Sequence, residues 1–319
     1  MDVLIVTRSK DVHAFAIADA LVQRRLLPQI IEADGVSGAG GLTWSLSGSA
    51  NLTDVAGNVT SVDEASVLWW RRLNGPTIIA DNVSAEARHL VERDCRASLL
   101  GLLATEFVGR YVSDPEATRA AENKLVQLRA AQRAGCSLPD TLVSSDPQRV
   151  RDFCEAHGWA VIVKTVSGAG PRQPLMTGLL RPELVQDAAV RLTPAIYQEY
   201  VPGDRHLRVN VFGREVYAAL LTTTRLDWRY PLDAVAEPYV IDATTREQLF
   251  AVLDELGLRM GVFDLKLTPN GQVVWLEVNP QGQFLWLEGL CGMPLCDAFA
   301  DFLAAEVADV RNTLSTDQP

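Results

Sequence analysis

The run Phe263-Asp264-Leu265-Lys266-Leu267-Thr268-Pro269-Asn270-Gly271-Gln272-Val273-Val274-Trp275-Leu276-Glu277-Val278-Asn279-Pro280 constrains this chain more than any other segment. Two apolar stretches flank a turn, and Asn270-Gly271 is a strong hairpin signal because both residues tolerate positive φ. Side chains alternate faces along a strand. Asp264 therefore points away from Phe263 and Leu265, while Glu277 and Asn279 share the face opposite Leu276 and Val278. A connecting loop of even length puts Asp264 on the Glu277/Asn279 face; an odd loop takes it off. Two carboxylates and an amide oxygen on one face of an apolar hairpin call for a counter-charge. A hard divalent cation with oxygen ligands, Mg²⁺ above all, meets that need. The plainer reading is an amphipathic hairpin with one wet face. So many polar groups among large apolar side chains weigh against it.

The 319 residues suggest two or three domains. A hydrophobic content of 48% with 22% charged residues suits a globular protein. The net charge of -11 argues against a general nucleic-acid binder. Local Lys, Arg, backbone N–H groups and metal can still hold phosphates in such a chain. The five Cys are odd in number and form no C-x-x-C pair, so reduced thiols in a cytoplasmic protein are expected rather than a disulfide frame or zinc site. Met1-Asp2-Val3-Leu4-Ile5-Val6 reads as a first strand, not a signal peptide. No apolar stretch is long enough to cross a bilayer, so no membrane partner is expected. Residues 315–319 read as a disordered tail.

Along the chain, residues 2–7 read as a buried strand, 14–24 as a helix and 29–32 as a second strand. The Gly-, Ser-, Thr- and Asn-rich stretch 35–58 reads as short strands and turns. Val67-Leu68-Trp69-Trp70 is a strand ending in Arg71-Arg72. Ser84 caps a helix reaching residue 105, with Leu90, Val91, Cys95, Leu99 and Leu102 on its core face. Asp114-Pro115-Glu116 starts a helix that stops at Gly135, and Asp146-Pro147 starts one that stops at Gly158. Strands follow at 160–166 and 195–201. Residues 207–212 and 215–222 pair over Gly213-Arg214. Thr244 or Thr245 opens a helix ending at Gly257, and a last helix covers 294–307.

Several side chains in this frame suit an anionic ligand. Lys164 lies in an apolar strand, where its ammonium needs an anion or water. The glycines of the following Ser167-Gly168-Ala169-Gly170 let backbone N–H groups approach phosphate oxygens. The pattern is neither G-x-G-x-x-G nor a Walker loop. Lys124, in Glu122-Asn123-Lys124-Leu125, reads by itself as an exposed helix lysine. Gln198-Glu199-Tyr200-Val201-Pro202-Gly203-Asp204 ends a strand; its free backbone groups either pair with a base edge or are a plain strand end. Arg208 projects from a hairpin strand and suits an oxyanion. Arg225, Asp227, Trp228 and Arg229 are either loop charges without a role or a cover that neutralises a developing phosphate. No G-x-S-x-G or H-E-x-x-H occurs.

The order of these features resembles the ATP-grasp superfamily: an Asn-Lys helix, a strand lysine with a Gly loop, Gln-Glu-Tyr-Val, Leu-Arg-Val, then Asp and Glu-x-Asn. Within it the chain is similar to the graspetide maturases, the microviridin-type peptide ligases. The closer match is carried by Trp69-Trp70-Arg71-Arg72, residues 197–208, Leu226-Asp227-Trp228-Arg229, and Glu277-Val278-Asn279-Pro280-Gln281-Gly282-Gln283-Phe284-Leu285-Trp286-Leu287-Glu288.

That resemblance implies an α/β (α+β) ATP-grasp fold: a pre-grasp α/β domain over 1–113, a central lid over 114–194, and a metal-bearing part over 195–319. It implies that ATP turns an Asp or Glu side chain of a ribosomal precursor peptide, leader plus acidic core, into an acyl phosphate. A Ser or Thr hydroxyl or a Lys amine then closes an ester or amide ring. Lys124 and Lys164 would hold the α- and β-phosphates, and Gly168 and Gly170 would cover them. Glu199 and the Val201 backbone would meet adenine. Asp264, Glu277 and Asn279 would hold two Mg²⁺, with Glu277 bridging, and Arg208 and Arg229 would stabilise the transferring phosphoryl group. His206 stands where relatives carry an acid, so Asp204 is the candidate for the ribose. A homodimer is also implied. The alternatives are an ATP-grasp ligase that joins amino acids or adds glutamate to proteins, and a nucleotide-binding scaffold without catalysis.

Overall fold

The computed structural model describes residues 1–36, 40–72, 84–166, 177–226 and 234–316. The chain divides into two compact units, Met1–Pro115 with Pro294–Pro319, and Glu116–Met293.

The first unit starts with β1 (Val3–Thr7), α1 (Val12–Gln23) and β2 (Pro28–Glu32). Next come β3 (Gly41–Ser45), β4 (Ser49–Thr53) and β5 (Val59–Ser61), then β6 (Val67–Trp70), α2 (Ala85–Glu106) and β7 (Arg110–Val112). Strands β2-β1-β6-β7 form a parallel sheet, and β3-β4-β5 a small antiparallel one. Every residue of β1 and β6 is buried, as continuous apolar strands covered on both faces should be. Leu4, Val6, Leu68 and Trp70 join Leu99, Leu102 and Leu103 of α2 in one core. Of the expected core face of α2, Leu99 and Leu102 are buried, Val91 and Cys95 are half-buried and Leu90 is exposed. Glu86, Arg88, Glu92, Arg93 and Arg96 narrow the apolar stripe of the early turns to the half-buried row Ala87, Val91 and Cys95. Ser84 caps α2 as expected, accepting from Ala87 N.

The second unit runs α3 (Pro115–Ala121), α4 (Lys124–Arg133), β8 (Thr141–Ser144), α5 (Pro147–Ala156), β9 (Val161–Lys164), β10 (Gly178–Leu179), α6 (Asp187–Leu192) and β11 (Ala195–Glu199). It continues with β12 (Arg205–Phe212), β13 (Glu215–Thr222), β14 (Val235–Tyr239), α7 (Ala243–Leu256), β15 (Met260–Leu267), β16 (Val273–Asn279) and α8 (Leu285–Cys291). A four-stranded sheet has the order β10-β9-β11-β8 and a five-stranded sheet the order β14-β13-β12-β15-β16. The final helix, α9 (Leu295–Thr316), belongs to the first unit, where Phe299 lies 4.7 Å from Trp69.

Alternation along the five-stranded sheet sorts its side chains. Leu207, Val209, Phe263, Leu265, Trp275 and Val278 share one core with Ala130 and Ala131 of α4 and with Leu249 and Leu253 of α7. The opposite face carries His206, Arg208, Asn210, Asp264 and Lys266 among buried Phe212, Met260 and Val262. Asp242, not a threonine, caps α7 by accepting from Thr245 N, and Gly257 ends it at φ 65°.

The helix expected from Pro115 to Gly135 is two helices. Asn123 stops the first and caps the second, its Oδ1 accepting from Leu125 N at 2.9 Å. The break makes Lys124 the first residue of α4 rather than a mid-helix surface residue. Asn123→Ala is expected to lower stability by about 1 kcal/mol, read by urea denaturation.

All five cysteines are free thiols. Among the described residues, no helix is long and apolar enough to cross a membrane.

Candidate active site

The polar face of the five-stranded sheet gathers five of the expected residues. Arg208 on β12 lies in register with Asp264 on β15, and Asp264 with Glu277 on β16. The Arg208 guanidinium donates through Nη1 to both Asp264 oxygens at 2.8 and 2.9 Å, and through Nη2 to the Gln283 carbonyl at 3.1 Å. Arg208 and Asp264 are both mostly buried, with side chains 8% and 14% exposed. Lys124 Nζ, at the start of α4, donates to Glu277 Oε2. Asn279 pairs with Val262 and accepts through Oδ1 from Gln281 N at 3.1 Å.

The loop between β15 and β16, residues 268–272, has an odd length, and by strand alternation alone Asp264 would face Leu276. The register shifts between Asp264 and Leu265, so Leu265 pairs with Trp275 and Asp264 with Glu277. Leu276 is the extra residue of a β-bulge. The bulge lets Trp275 enter the core while Glu277 turns to the polar face.

Edge strand β16 is held from the side. Buried Gln127 of α4 accepts from Val278 N at 3.1 Å and donates to the Ala121 carbonyl at 2.6 Å. It therefore satisfies a backbone donor between Glu277 and Asn279 and ties that stretch to the helix carrying Lys124. A buried Gln on a helix gives no sequence signal for this role.

His206 and Lys266 continue the same face. Lys266 Nζ lies 3.0 Å from His206 Nε2, both residues being buried. Burial pushes the Lys266 ammonium down to about 8, against the pull of the Asp204 carboxylate. The sequence signal for Lys266 was its spacing, two residues after Asp264. Gly282 packs against Val262, the strand partner of Asn279: a Cβ there would collide with Cβ and Cγ2 of Val262. Gly282→Ala should destabilise the protein by roughly 1–3 kcal/mol, measurable as a lower denaturation midpoint.

Lys164 and Glu199 stand on the four-stranded sheet. Lys164 pairs with Ile196, on the face away from the α5 core of Val150, Cys154, Val161 and Tyr197. Glu199 pairs with Val161 instead; its side chain accepts from Asp140 N at 3.2 Å and its backbone N–H donates to the Asp140 carbonyl at 2.9 Å. Val201 follows β11, and Asp204 directly precedes β12. Gly168, Gly170 and Arg229 lie outside the described residues, as do Asp227 and Trp228.

All three proposed metal donors are oxygens, two of them anionic, as Mg²⁺ prefers. Among the described residues, no group of three His, Cys, Asp or Glu is placed to hold a metal, so the amide of Asn279 is needed to complete this set. The residues fit the ion as two carboxylates and an amide on one face, each carboxylate now neutralised by a cation.

One unit thus joins a sheet carrying Lys164 to a sheet with a face of cation–carboxylate pairs. Comparison with solved structures gives the fold of ATP-grasp ligases. Macrocyclase MdnC from Microcystis aeruginosa MRC, bound with precursor peptide MdnA, superposes with a TM-score of 0.85 at 25% identity, over 95% of this chain and 99% of that one. A Chryseobacterium gregarium RiPP-associated ATP-grasp ligase, in complex with ADP and a leader and core peptide, gives 0.85 at 20% identity over 96% and 97%. The ATP-grasp ligase PsnB, complexed with minimal precursor, Mg and ADP, gives 0.77 at 20% over 96% and 97%. No protein-family model matches the sequence, and no curated protein matches it.

Proposed function

We propose that this protein is an ATP-dependent ligase that closes macrocycles on a ribosomal precursor peptide. The observation that carries this reading is the likeness to MdnC, which extends over both chains almost end to end. An Asp or Glu carboxylate of the peptide attacks the γ-phosphorus of ATP, the bond to ADP breaks, and an acyl phosphate forms. A Ser or Thr hydroxyl, or a Lys amine, then attacks the acyl carbon and expels phosphate, losing its proton. Such chemistry needs positioning and charge neutralisation rather than a protein nucleophile.

The chain's own residues supply both. Lys124 and Arg208 are paired with Glu277 and Asp264 in this structure. When the nucleotide enters, its phosphates replace those carboxylates as partners of the two cations. Asp264, Glu277 and Asn279 would hold Mg²⁺, as two ions, through their side-chain oxygens. Bound Mg²⁺ supplies Lewis acidity and offsets phosphate charge. Lys164 completes the phosphate contacts, the Glu199 and Val201 backbone meets adenine, and Asp204 meets the ribose. Gly168, Gly170 and Arg229 complete the site from the sequence side. The three-part division, a homodimer and a cytoplasmic location belong to the same proposal.

Incubation with ATP and a co-encoded peptide rich in Asp, Glu, Ser, Thr and Lys tests it. Loss of one water per ring is expected, with an alkali-labile ester or a hydroxylamine-resistant amide. Mass gain from free amino acids would instead make the protein an amino-acid ligase. No ADP release with any such peptide would leave a nucleotide-binding scaffold.

A further inference from the structure

The catalytic proposal draws only on the second unit, yet the first unit carries its own concentration of positive charge. Its parallel sheet runs β2-β1-β6-β7, so the chain reverses its direction of growth between β1 and β6. In open parallel sheets the crevice beyond the carboxyl ends at such a reversal is the usual ligand position. Here β1 leads into Arg8, Ser9 and Lys10, and β6 into Arg71 and Arg72. Four cations at one sheet edge stand out in a chain of net charge -11.

The fold spends its nearby acids on holding this edge. Asp11 receives Arg71 Nε at 2.9 Å and Thr7 Oγ1 at 2.8 Å, and caps α1 by accepting from His13 N at 3.1 Å. Asp34 receives both the backbone N–H and the hydroxyl of Ser9 at 2.7 Å, pinning the loop between them. The Arg71 guanidinium also lies over Trp69, 5.3 Å from the ring centre. Of the charged groups acting on Arg71, Asp11 attracts it while Arg72 and Arg8 repel it. Burial and that repulsion bring Arg71 down to about 10. Burial, with Arg71 next, brings His13 down to about 4, so it is neutral at pH 7. Three guanidinium groups held together repel one another, and a bound anion relieves that repulsion. Planar guanidinium forks suit carboxylates in particular. On the first turn of α1, next to this edge, Val12 and Phe15 expose 71% and 48% of their surface, offering apolar contact to a chain rather than to a lone ion.

We propose that the carboxyl ends of β1 and β6 form a docking site for an acidic peptide, with Arg72 and Arg8 receiving its side-chain carboxylates. The occupant is taken to be the acidic core of the precursor, and only that identity rests on the function proposed above. The site is tested with a labelled precursor peptide, by fluorescence anisotropy on the full-length enzyme, against Arg72→Gln and Arg72→Lys. Arg72→Gln should weaken binding about tenfold or more, as loss of a charge-assisted hydrogen bond does, and Arg72→Lys should recover part of it. ADP affinity should be unchanged. A peptide with its Asp and Glu replaced by Asn and Gln should bind weakly and ignore the substitution. Equal peptide affinity for wild type and Arg72→Gln would overturn the site while leaving the ligase reading intact. Inorganic phosphate binding that Arg72→Gln removes, with peptide affinity untouched, would also overturn it. Arg72-dependent peptide binding without any ATP-driven cyclisation would uphold the site and remove the ligase reading.

Discussion

Glu277→Gln is expected to give a folded protein that releases no ADP, with turnover reduced by roughly a thousandfold or more, as when a central electrostatic group is removed from a catalytic site. The substitution keeps the shape and removes the charge. Lys124 and Glu277 are only partly buried, with side chains 19% and 27% exposed, so their pair contributes modestly to stability. The β-bulge at Leu276 and the backbone bond from Val278 to Gln127 do not depend on the carboxylate. The melting temperature should therefore stay within a few degrees of wild type. A coupled ADP assay and mass spectrometry of the peptide read the activity; a thermal melt reads the fold. Retained turnover would remove Glu277 from the metal site.

Asp264→Ala should behave differently. It leaves the Arg208 guanidinium, 8% exposed at the side chain, with the Gln283 carbonyl but without its anion. Removing one member of a buried pair costs about 3–5 kcal/mol, because the remaining charge stays desolvated. Replacing both, as Arg208→Met with Asp264→Leu, should restore most of that stability while the enzyme stays inactive. Urea midpoints for the single and double variants separate the two effects. A stable single variant would show that water reaches Arg208 freely.

The sequence carried the polar face of the hairpin but not how the strands achieve it. Alternation demanded an even loop, and the loop is odd. The bulge that restores the face arises because Trp275 and Glu277, two apart, require opposite environments, and a regular strand cannot satisfy both. Lys124 shows a similar limit. Asn123 inside a helical pattern looks like a surface residue, and only its hydrogen bond to Leu125 N shows that it starts a new helix. Leu90 failed because periodicity marks an apolar face without saying where the core ends. His206 departs from the acid expected at its position, and the spacing of Lys266 from Asp264 puts a lysine on the same face, but only the register of β12 with β15 sets the two side by side. The Asp-Pro helix start at Asp146 and the Gly213-Arg214 turn were legible because each is fixed by neighbouring residues alone.

The return of α9 to the first unit bears on how the chain is made. The second unit is complete by Met293, whereas the first still lacks Phe299, the aromatic partner of Trp69. A ribosome working from the amino end therefore delivers the parallel sheet before the second unit, and the helix that completes the sheet's packing after it. The inserted unit has all of its own residues before α9 is made, so it can fold as a unit while β1 and β6 still wait for the helix that packs on them.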